Sequence, residues 1–350
     1  METALDSQAP PLNPSGGPIS WPRRIIDILF TGFLLLAVGW GAMAIYYSNL
    51  PGPLGGLAAL VYGAGGLAAL IFVKPRWRGK LTVLIPFIAV LAWWWTIPPS
   101  QQRNWRKDVA TLPNAEISGT QVTIHNVRNC DYRSETDYDV RYYDKTVDLT
   151  RLESVDMYFV HWGSAAIAHT MVSFGFGGNQ FICFSLETRC EVHEGYSPIK
   201  GFFKQYELIC IAADERDLVR LRTNYRKEDV YLYRLRAKPE VARMIFLRYC
   251  QQMNDLRARP EWYNALTRNC TTAIPTRDGN APRRCPRTWK VVLPGYLPGW
   301  IYDQEVLDTS LPFAELQKRS HINQRGQAAD KDPNFSLRIR EELPKPAPRS

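Results

Sequence analysis

Cys270 and His169 are the two residues of this 350-residue chain whose types and surroundings favour covalent chemistry. Cys270 stands between Asn269 and Thr271, in a pattern where a short helix could begin. Backbone N–H groups at a helix start lower a thiol pKa and can bind the oxyanion of an acyl intermediate. An imidazole within reach could take the thiol proton. Two other interpretations stay open: a disulfide between Cys270 and a neighbour such as Cys285, and an ordinary structural role for His169.

His169 begins the first of two β-rich runs that flank the sequence Gly-Gly-Asn-Gln, residues 169–176 and 181–189. This pattern predicts a β-hairpin. If the two strands pair so that His169 stands opposite Glu187, the carboxylate faces the ring and can fix its tautomer. A shift of one residue in the register removes that contact. The alternative for Glu187 and Arg189, which share one face of the second strand, is a structural charge pair.

Other segments show the periodicity of strands and of one helix. The predicted strands are residues 121–128, 155–162, 206–212 and 230–235, and the predicted helix is residues 240–256. A sheet of consecutive strands followed by a helix indicates an α+β domain. The dense charge run from Asp214 to Thr223 is typical of a solvated face, or of lipid-headgroup binding by Arg216 or Arg222.

Three apolar stretches near the N-terminus are long enough to cross a bilayer: Ile25 to Tyr47, Leu54 to Val73 and Leu81 to Ile97. Arginines precede the first stretch, and four cations lie between the second and third, whereas the link between the first and second has none. Positive charge favours the cytoplasmic side, so everything after Pro98 is expected outside the cytoplasm. If the first stretch is instead a cleaved signal, the soluble domain is still outside.

The chain carries a net charge of +9. Residues 1–106 hold 8 Lys or Arg against 3 Asp or Glu, which leaves 43 − 8 = 35 against 34 − 3 = 31 for the rest. This nearly balanced outer domain has no basic block, so nucleic acid is not an expected partner. All 7 cysteines lie in it, where an oxidising compartment favours disulfides. No Cys-x-x-Cys pair occurs, so a structural zinc site is not expected. Acyl chemistry on a thiol needs neither a metal nor a cofactor, so none is expected for it.

The composition divides the chain into four parts. Residues 1–20 are rich in Pro, Gly and Ser, and residues 342–350 in Pro, so both are expected to be disordered tails. Between them lie the three-helix transmembrane region, 21–97, and the extracytoplasmic domain, 103–341.

A series of short phrases resembles the Lnb N-terminal periplasmic domain family, also called DUF4105. The phrases occur in order along the outer domain: 126–129, 169–176, 185–189, 206–208, 214–217, 263–272, 293–296 and 335–340. The family is named for a bacterial lipoprotein N-acyltransferase. The order of His169 before Cys270 is also similar to the permuted papain-like thiol enzymes, the NlpC/P60 and lecithin:retinol acyltransferase group. The resemblance therefore implies a permuted papain-like domain with an antiparallel sheet.

The resemblance also implies a function. Lnb-type enzymes move an acyl chain within a lipoprotein, from a glycerol ester to an amine. Carried over to this chain, Cys270 is the nucleophile, His169 its base and Glu187 a further catalytic candidate, while Arg189, Asn269 and Thr271 are expected to contact the substrate. The partners would be a diacylated lipoprotein or membrane lipid and the bilayer itself. The expected location is the bacterial inner membrane, as a multi-pass protein.

Two other functions remain open from the sequence. The same thiol could pass its acyl group to water, as in a lipase, an amidase or an envelope peptidase, because the acceptor is decided by the pocket and by water exclusion. Alternatively, the domain could be a non-catalytic envelope scaffold held by disulfides. The three apolar spans favour a lipid-bearing substrate.

Overall fold

The computed structural model describes residues 21–48, 50–264 and 288–344. It divides the chain into two compact units, residues 1–97 and 98–350. The predicted tail 1–20 lies outside the described residues, as do residues 345–350 of the predicted tail 342–350.

The first unit consists of three helices, α1 (Trp21–Tyr46), α2 (Gly52–Phe72) and α3 (Arg76–Thr96). Each is long and apolar enough to cross a membrane, as the sequence predicts. Gly66 lies so close to Val38 that a Cβ there would be 2.9 Å from a methyl group, and small residues commonly allow such helix contacts in membranes. Lys80 of α3 pairs with Asp27 in the first turns of α1.

The second unit is built on a sheet of short strands with helices on both faces. The strands are β1 (Asn114–Ser118), β2 (Gln121–Arg128), β3 (Asp131–Tyr132), β4 (Tyr138–Asp139), β5 (Tyr142–Asp148), β6 (Ser154–His161), β7 (Ala168–Gly175), β8 (Phe181–Arg189), β9 (Glu207–Ala213) and β10 (Asp229–Arg234). The helices are α4 (Glu215–Arg220), α5 (Pro239–Ala258), α6 (Leu297–Asp303), α7 (Phe313–Ser320), α8 (Asn323–Ala328) and α9 (Phe335–Arg338). A π-helical turn, Leu221–Tyr225, continues α4, and short 3-10 turns include Lys200–Phe202 and Trp289–Val291.

The main sheet has the order β1-β2-β9-β8-β7-β6-β10, with β5 also paired to β2. The neighbouring pairs from β9 to β10 are antiparallel, but β2 meets β9 in parallel, at Arg128 and Ala213. The expectation of a purely antiparallel sheet is therefore wrong, since the sheet is mixed. The α+β class is correct. The parallel contact arises because β2 lies beside β9 and runs in the same direction, while the hairpin strands β7 and β8 lie between β9 and β6.

Each face of the sheet has its own apolar core. On one face, Phe174 and Phe184 pack against Phe246 of α5, with ring centroids 5.1 and 5.8 Å apart. On the other face, Met171 and Cys183 belong to a cluster that includes residues of α4 and α9. Side chains alternate between the two faces along a strand. His169 lies two residues before Met171 on β7, so its side chain points to the same face of the sheet as Met171, the face covered by α4.

Most of the predicted strands are present, with shifts of one residue at their ends, and β2 occupies the predicted residues 121–128. The predicted helix at 240–256 is α5. The interpretation of Asp214 to Thr223 as a solvated face is wrong, because Glu215, Asp217, Arg220 and Arg222 are all buried. Their charges are compensated by partners that come mostly from other elements, which a local charge pattern cannot show.

Candidate active site

His169 is the second residue of β7, a strand flanked on both sides by other strands. Only 5 % of the residue is exposed. Its ring is covered by the indole of Trp162, which lies parallel to it at an interplanar angle of 9° with ring centroids 6.0 Å apart. Strand pairing fixes the backbone and the indole fixes the ring plane, so His169 is held in one orientation.

The hairpin register brings Ser185 and Glu187 to this ring. Met171 pairs with Ser185, so the indices of paired residues sum to 171 + 185 = 356, the register in which His169 faces Glu187. The Nε2 atom of His169 lies 2.8 Å from Ser185 Oγ and 3.3 Å from Glu187 Oε1. The predicted register is confirmed, and the hairpin alone delivers three polar groups to one point.

The hydrogen-bond directions follow from the donor inventory of these groups. Ser185 Oγ lies 2.6 Å from Glu187 Oε1, and an ionised carboxylate can only accept, so the hydroxyl donates to Glu187. The oxygen of Ser185 then accepts a hydrogen bond from Nε2–H of His169. In the neutral ring, this arrangement assigns the proton to Nε2 and the basic lone pair to Nδ1.

Arg222 completes the network from the π-helical turn after α4. Its Nη2 donates to Glu187 Oε1 at 2.9 Å, and its Nη1 donates to Glu228 Oε2 at 3.1 Å. The guanidinium is buried, and it pairs with two carboxylates. With His169 neutral, one positive and two negative charges remain. A protonated imidazole therefore completes the charge balance of this cluster.

Glu187 stays ionised in this setting. Burial alone would raise its pKa, but the charges of His169 and Arg222, together with hydrogen bonds from His169 and Ser185, outweigh burial and hold the pKa of Glu187 well below its usual range. The carboxylate can thus orient the imidazole and stabilise its cation, while it does not itself exchange protons near neutral pH.

Arg189 has a different environment from its neighbour Glu187. Its guanidinium donates to the backbone carbonyls of Val109 and Ala110, at 2.9 and 2.7 Å, and lies 4.2 Å from the ring centre of Trp105. The charge partner of Glu187 is Arg222, so the alternative of a Glu187–Arg189 pair is wrong. Arg189 therefore binds the segment before β1, and it does not contact His169.

Cys270, Asn269 and Thr271 lie outside the described residues, as does Cys285. Their predicted roles, and the predicted helix start at Cys270, stay predictions. The described cysteines are 130, 183, 190, 210 and 250, and all five are buried free thiols, so the expected disulfides are not found among them. Burial raises the pKa of each of these thiols. None of the five is suited to act as a thiolate nucleophile.

The four other histidines have ordinary surroundings. His125 lies at the surface, 2.7 Å from Asp144, and His321 is 3.3 Å from Asp229. His161 packs edge-on against Tyr231, and burial lowers the pKa of His161. His193 is exposed. Within 21–48, 50–264 and 288–344, no group of three or more His, Cys, Asp or Glu residues could hold a metal ion.

A polar cleft of about 300 Å³ lies at the other end of the β7–β8 hairpin, where the chain turns. Its charged lining residues bond largely to one another or to backbone: Lys145 lies 3.4 Å from Asp214, and Arg220 lies 2.8 Å from Asp131. Arg216, for which the sequence left a headgroup role open, donates to a backbone carbonyl at Asp332. These ion pairs and hydrogen bonds connect the sheet to the C-terminal segment across the cleft.

Arg222 is the site residue that the sequence reasoning missed as a partner of Glu187. Its position in a charge run favoured a solvated side chain, and the contact joins residues 35 positions apart. One weak sequence signal could have indicated that this segment is buried. Leu218, Val219 and Leu221 have the spacing of a helix with one apolar face, and all three are buried.

The fold and site define a class: a membrane-anchored chain whose outer domain presents a buried His-Ser-Glu-Arg network on a mixed sheet. Residues 138–291 match the family model of the Lnb N-terminal periplasmic domain. The match confirms the family resemblance, and it spans His169, Glu187 and Arg222 as well as Cys270. No curated protein and no solved structure matches the chain. The family and the three apolar helices together indicate a membrane-anchored protein with a periplasmic domain.

Proposed function

We propose that this protein is a membrane-anchored Cys-His thiol acyltransferase. It would transfer an acyl chain from the glycerol ester of a lipoprotein, or a similar lipid donor, to an amine through a thioester on Cys270. The observation that carries the proposal is the hydrogen bond from His169 Nε2 to Ser185, whose hydroxyl in turn donates to Glu187, because this arrangement leaves Nδ1 as the basic nitrogen. A base oriented by a third polar group is the arrangement that an activated thiol requires.

The attachment of the chain on both sides of residues 265–287 supports the same pairing. Before this segment, the backbone N–H of Tyr263 donates to Tyr206 at 2.8 Å, next to the start of β9. After it, Gly295 N–H donates to Ala166 at 3.0 Å, three residues before His169. Both attachments lie at the end of the sheet that carries His169. The segment with Cys270 therefore leaves and rejoins the described chain beside the proposed base.

The first step forms the thioester. His169 Nδ1 takes the proton from Cys270 Sγ, and the sulfur attacks the carbonyl carbon of the glycerol ester. The Ser185–Glu187–Arg222 network stabilises the imidazolium that results. The carbon–oxygen bond then breaks, the imidazolium returns the proton to the leaving alkoxide, and the acyl group remains on sulfur.

The second step transfers the acyl group. His169, neutral again, takes a proton from the incoming amine as its nitrogen attacks the thioester carbon. The carbon–sulfur bond breaks, the amide is released, and the imidazolium returns the proton to the leaving thiolate. Neither step requires a metal or a dissociable cofactor. If water replaces the amine, the same residues perform hydrolysis, which makes a lipase, an amidase or a peptidase the main alternative.

The finer details of fold and location belong to the same proposal. A strand-borne histidine that precedes the cysteine in the chain supports a permuted papain-like arrangement. The positive charges that flank the spans support an inner-membrane location with the domain in the periplasm. A scaffold held by disulfides has less support, because the five described cysteines are free thiols.

Purified full-length protein incubated with a synthetic diacylated lipopeptide tests the reaction, by mass and fragmentation of the product. Transfer leaves the mass unchanged and moves an acyl group to the α-amine, whereas loss of one acyl chain means hydrolysis. Cys270→Ser should reduce either reaction to background, because a serine hydroxyl is not a low-pKa nucleophile. Cys250→Ala, at a buried position within α5, is the matched control. Full activity of Cys270→Ser would refute the thiol mechanism.

A further inference from the structure

Two loops meet at the end of the sheet that carries His169. Residues 162–167 connect β6 to β7, and residues 190–206 connect β8 to β9. Together they expose a set of large apolar side chains, each between 37 % and 60 % accessible. We call this set the apolar rim; it comprises Trp162, Ile167, Val192, Tyr196, Ile199 and Phe202.

The apolar rim is continuous with the candidate active site. The indole of Trp162 lies against His169 on one side and meets the ring of Tyr196 at 5.8 Å on the other. Ile199 and Phe202 flank Lys200, at the short 3-10 turn of the longer loop. A cluster of exposed apolar side chains on a soluble domain commonly marks a surface that contacts another phase or partner.

The chain enters the second unit at this same end. Ser100 lies four residues after Thr96, the last residue of α3. Its backbone N–H donates to the carboxylate of Glu207 at 2.9 Å, at the first residue of β9. The backbone N–H of Val192 then donates to Asn104 at 2.9 Å. The covalent connection from the membrane helices therefore reaches the domain beside the apolar rim.

The charges of the longer loop fit a bilayer surface. Lys200 lies among its apolar side chains and can reach phosphate groups. Its acidic residues are held locally: Glu191 pairs with Arg103 at 3.2 Å, and Glu194 accepts from the backbone N–H of Glu191 at 2.9 Å. Trp, Tyr and Lys beside aliphatic residues are the composition that proteins present to the headgroup layer.

We infer that the apolar rim is a membrane contact, inserted into the headgroup layer of a bilayer. Interfacial segments of this kind bury their apolar side chains about 5–10 Å below the headgroups. The inference concerns the surface and does not depend on the chemistry proposed for Cys270; only a turnover measurement on surface variants rests on the proposed function.

Site-directed spin labelling of the full-length chain in nanodiscs of phosphatidylethanolamine and phosphatidylglycerol tests this contact. Labels are attached at Val192→Cys and, as a control, at Ile117→Cys, in a background with Cys270→Ser and Cys285→Ser. Ile117 is an equally apolar residue, 51 % exposed, on the edge strand β1. For each label we compare the collision rate with oxygen to the collision rate with a soluble nickel chelate. We expect this oxygen-to-nickel ratio to be several-fold higher at 192 than at 117.

Two outcomes would overturn the inference. Equal nickel accessibility at 192 and 117 means that the apolar rim faces water. Low accessibility at 192 to both oxygen and nickel, at one chain per nanodisc, means that protein covers it. Val192→Glu combined with Ile199→Glu should slow turnover of a bilayer-embedded substrate several-fold and leave turnover of a short-chain, soluble ester unchanged. If lipid contact is found while Cys270→Ser remains fully active, the surface stands and the proposed reaction fails.

Discussion

Two buried arginine–glutamate networks lie on the same face of the central sheet. In the first, Arg222 binds Glu187 beside His169. In the second, Arg340 binds both oxygens of Glu215, at 2.7 and 2.5 Å, and its Nε donates to Asp156 at 2.8 Å. Arg222 and Glu215 are buried, while the side chains of Arg340 and Glu187 keep 9 % and 23 % exposure, so both networks are largely withdrawn from solvent and burial alone does not distinguish a structural ion pair from a candidate site.

The charge balance of the two networks differs. Around Arg340, Arg234 also pairs with Asp156 at 2.7 Å, so two cations face two carboxylates and the cluster is neutral. Around Arg222, one cation faces Glu187 and Glu228, and the cluster becomes neutral only when His169 is protonated. The network around Arg340 is complete without a proton. The network around Arg222 is completed by gaining one, which is the property that a general base requires.

Substitution of the histidine should give the largest difference between the two networks. We expect His169→Ala to slow acyl-enzyme formation by about 10²–10⁴-fold, the usual contribution of a positioned acid–base group. The free energy of unfolding of this variant should stay close to that of the unsubstituted protein. The measurement is single-turnover thioester formation on a labelled lipid donor. His161→Ala, on the neighbouring strand, controls for damage to the sheet, and equal losses in both variants would make His169 structural only.

Removal of the structural arginine should have the opposite signature. Arg340→Met leaves Glu215 without its cation, and loss of one partner of a buried pair costs about 3–5 kcal/mol in the free energy of unfolding. Arg340 outweighs burial and lowers the pKa of Glu215. The stabilisation is therefore present above the usual pKa of about 4.5 and is lost as the pH falls through the folded-state pKa. Urea unfolding between pH 3 and 7 measures both effects.

The control for this prediction is the other network. Arg222→Met should reduce activity by a larger factor than Arg340→Met does under conditions where both variants are folded. If both variants lose only stability, or both lose only activity, the distinction between the two networks is wrong.

The smallest expected effect concerns Glu207, a third buried carboxyl group. Its one paired cation does not fully offset the cost of burying its negative charge. Arg103 lies 3.0 Å from it, yet burial raises the pKa of Glu207 to about 7. The folded state therefore binds more protons than the unfolded state between about pH 4.5 and 7, so this residue lowers stability as the pH rises through that window. Glu207→Gln should remove this dependence and raise the free energy of unfolding at pH 8 by on the order of 2 kcal/mol. Parallel stability curves for both proteins between pH 5 and 8 would contradict it.

The sequence predicts those features that local rules determine. The hairpin, its register and the approach of Glu187 to His169 follow from alternation and a Gly-Gly-Asn-Gln turn, in which Gly177 and Gly178 adopt positive φ of 81° and 59°. The strands β1 and β5 were not predicted, because Asn-Ala-Glu-Ile-Ser and Tyr-Tyr-Asp-Lys-Thr-Val-Asp are polar edge strands without a clear apolar alternation.

Long-range charge compensation could not be predicted. Arg340 reaches Glu215 across 125 positions and Asp156 across 184. The phrases around 214–217 and 335–340 both carried the family resemblance, but nothing in either phrase indicates that they meet. The charge run from Asp214 was therefore interpreted as solvated, whereas its partners come from strands and from the C-terminal helices. The parallel contact of β2 with β9 has the same origin, since it joins distant parts of the chain.

The π-helical turn at Leu221–Tyr225 has a consequence for comparing relatives of this chain. It follows α4 without a break, and the N–H of Arg226 donates to the carbonyl of Leu221, five residues earlier, at 2.9 Å. A π turn accommodates one residue more than an α turn, and one residue corresponds to about 100° of rotation around a helix axis. Deletion of a single residue in this turn would rotate Arg222 away from Glu187, although the sequence would still contain every residue of the network. Among homologous domains, the length of this helix would therefore be a better guide to a working histidine than the presence of any one charged residue.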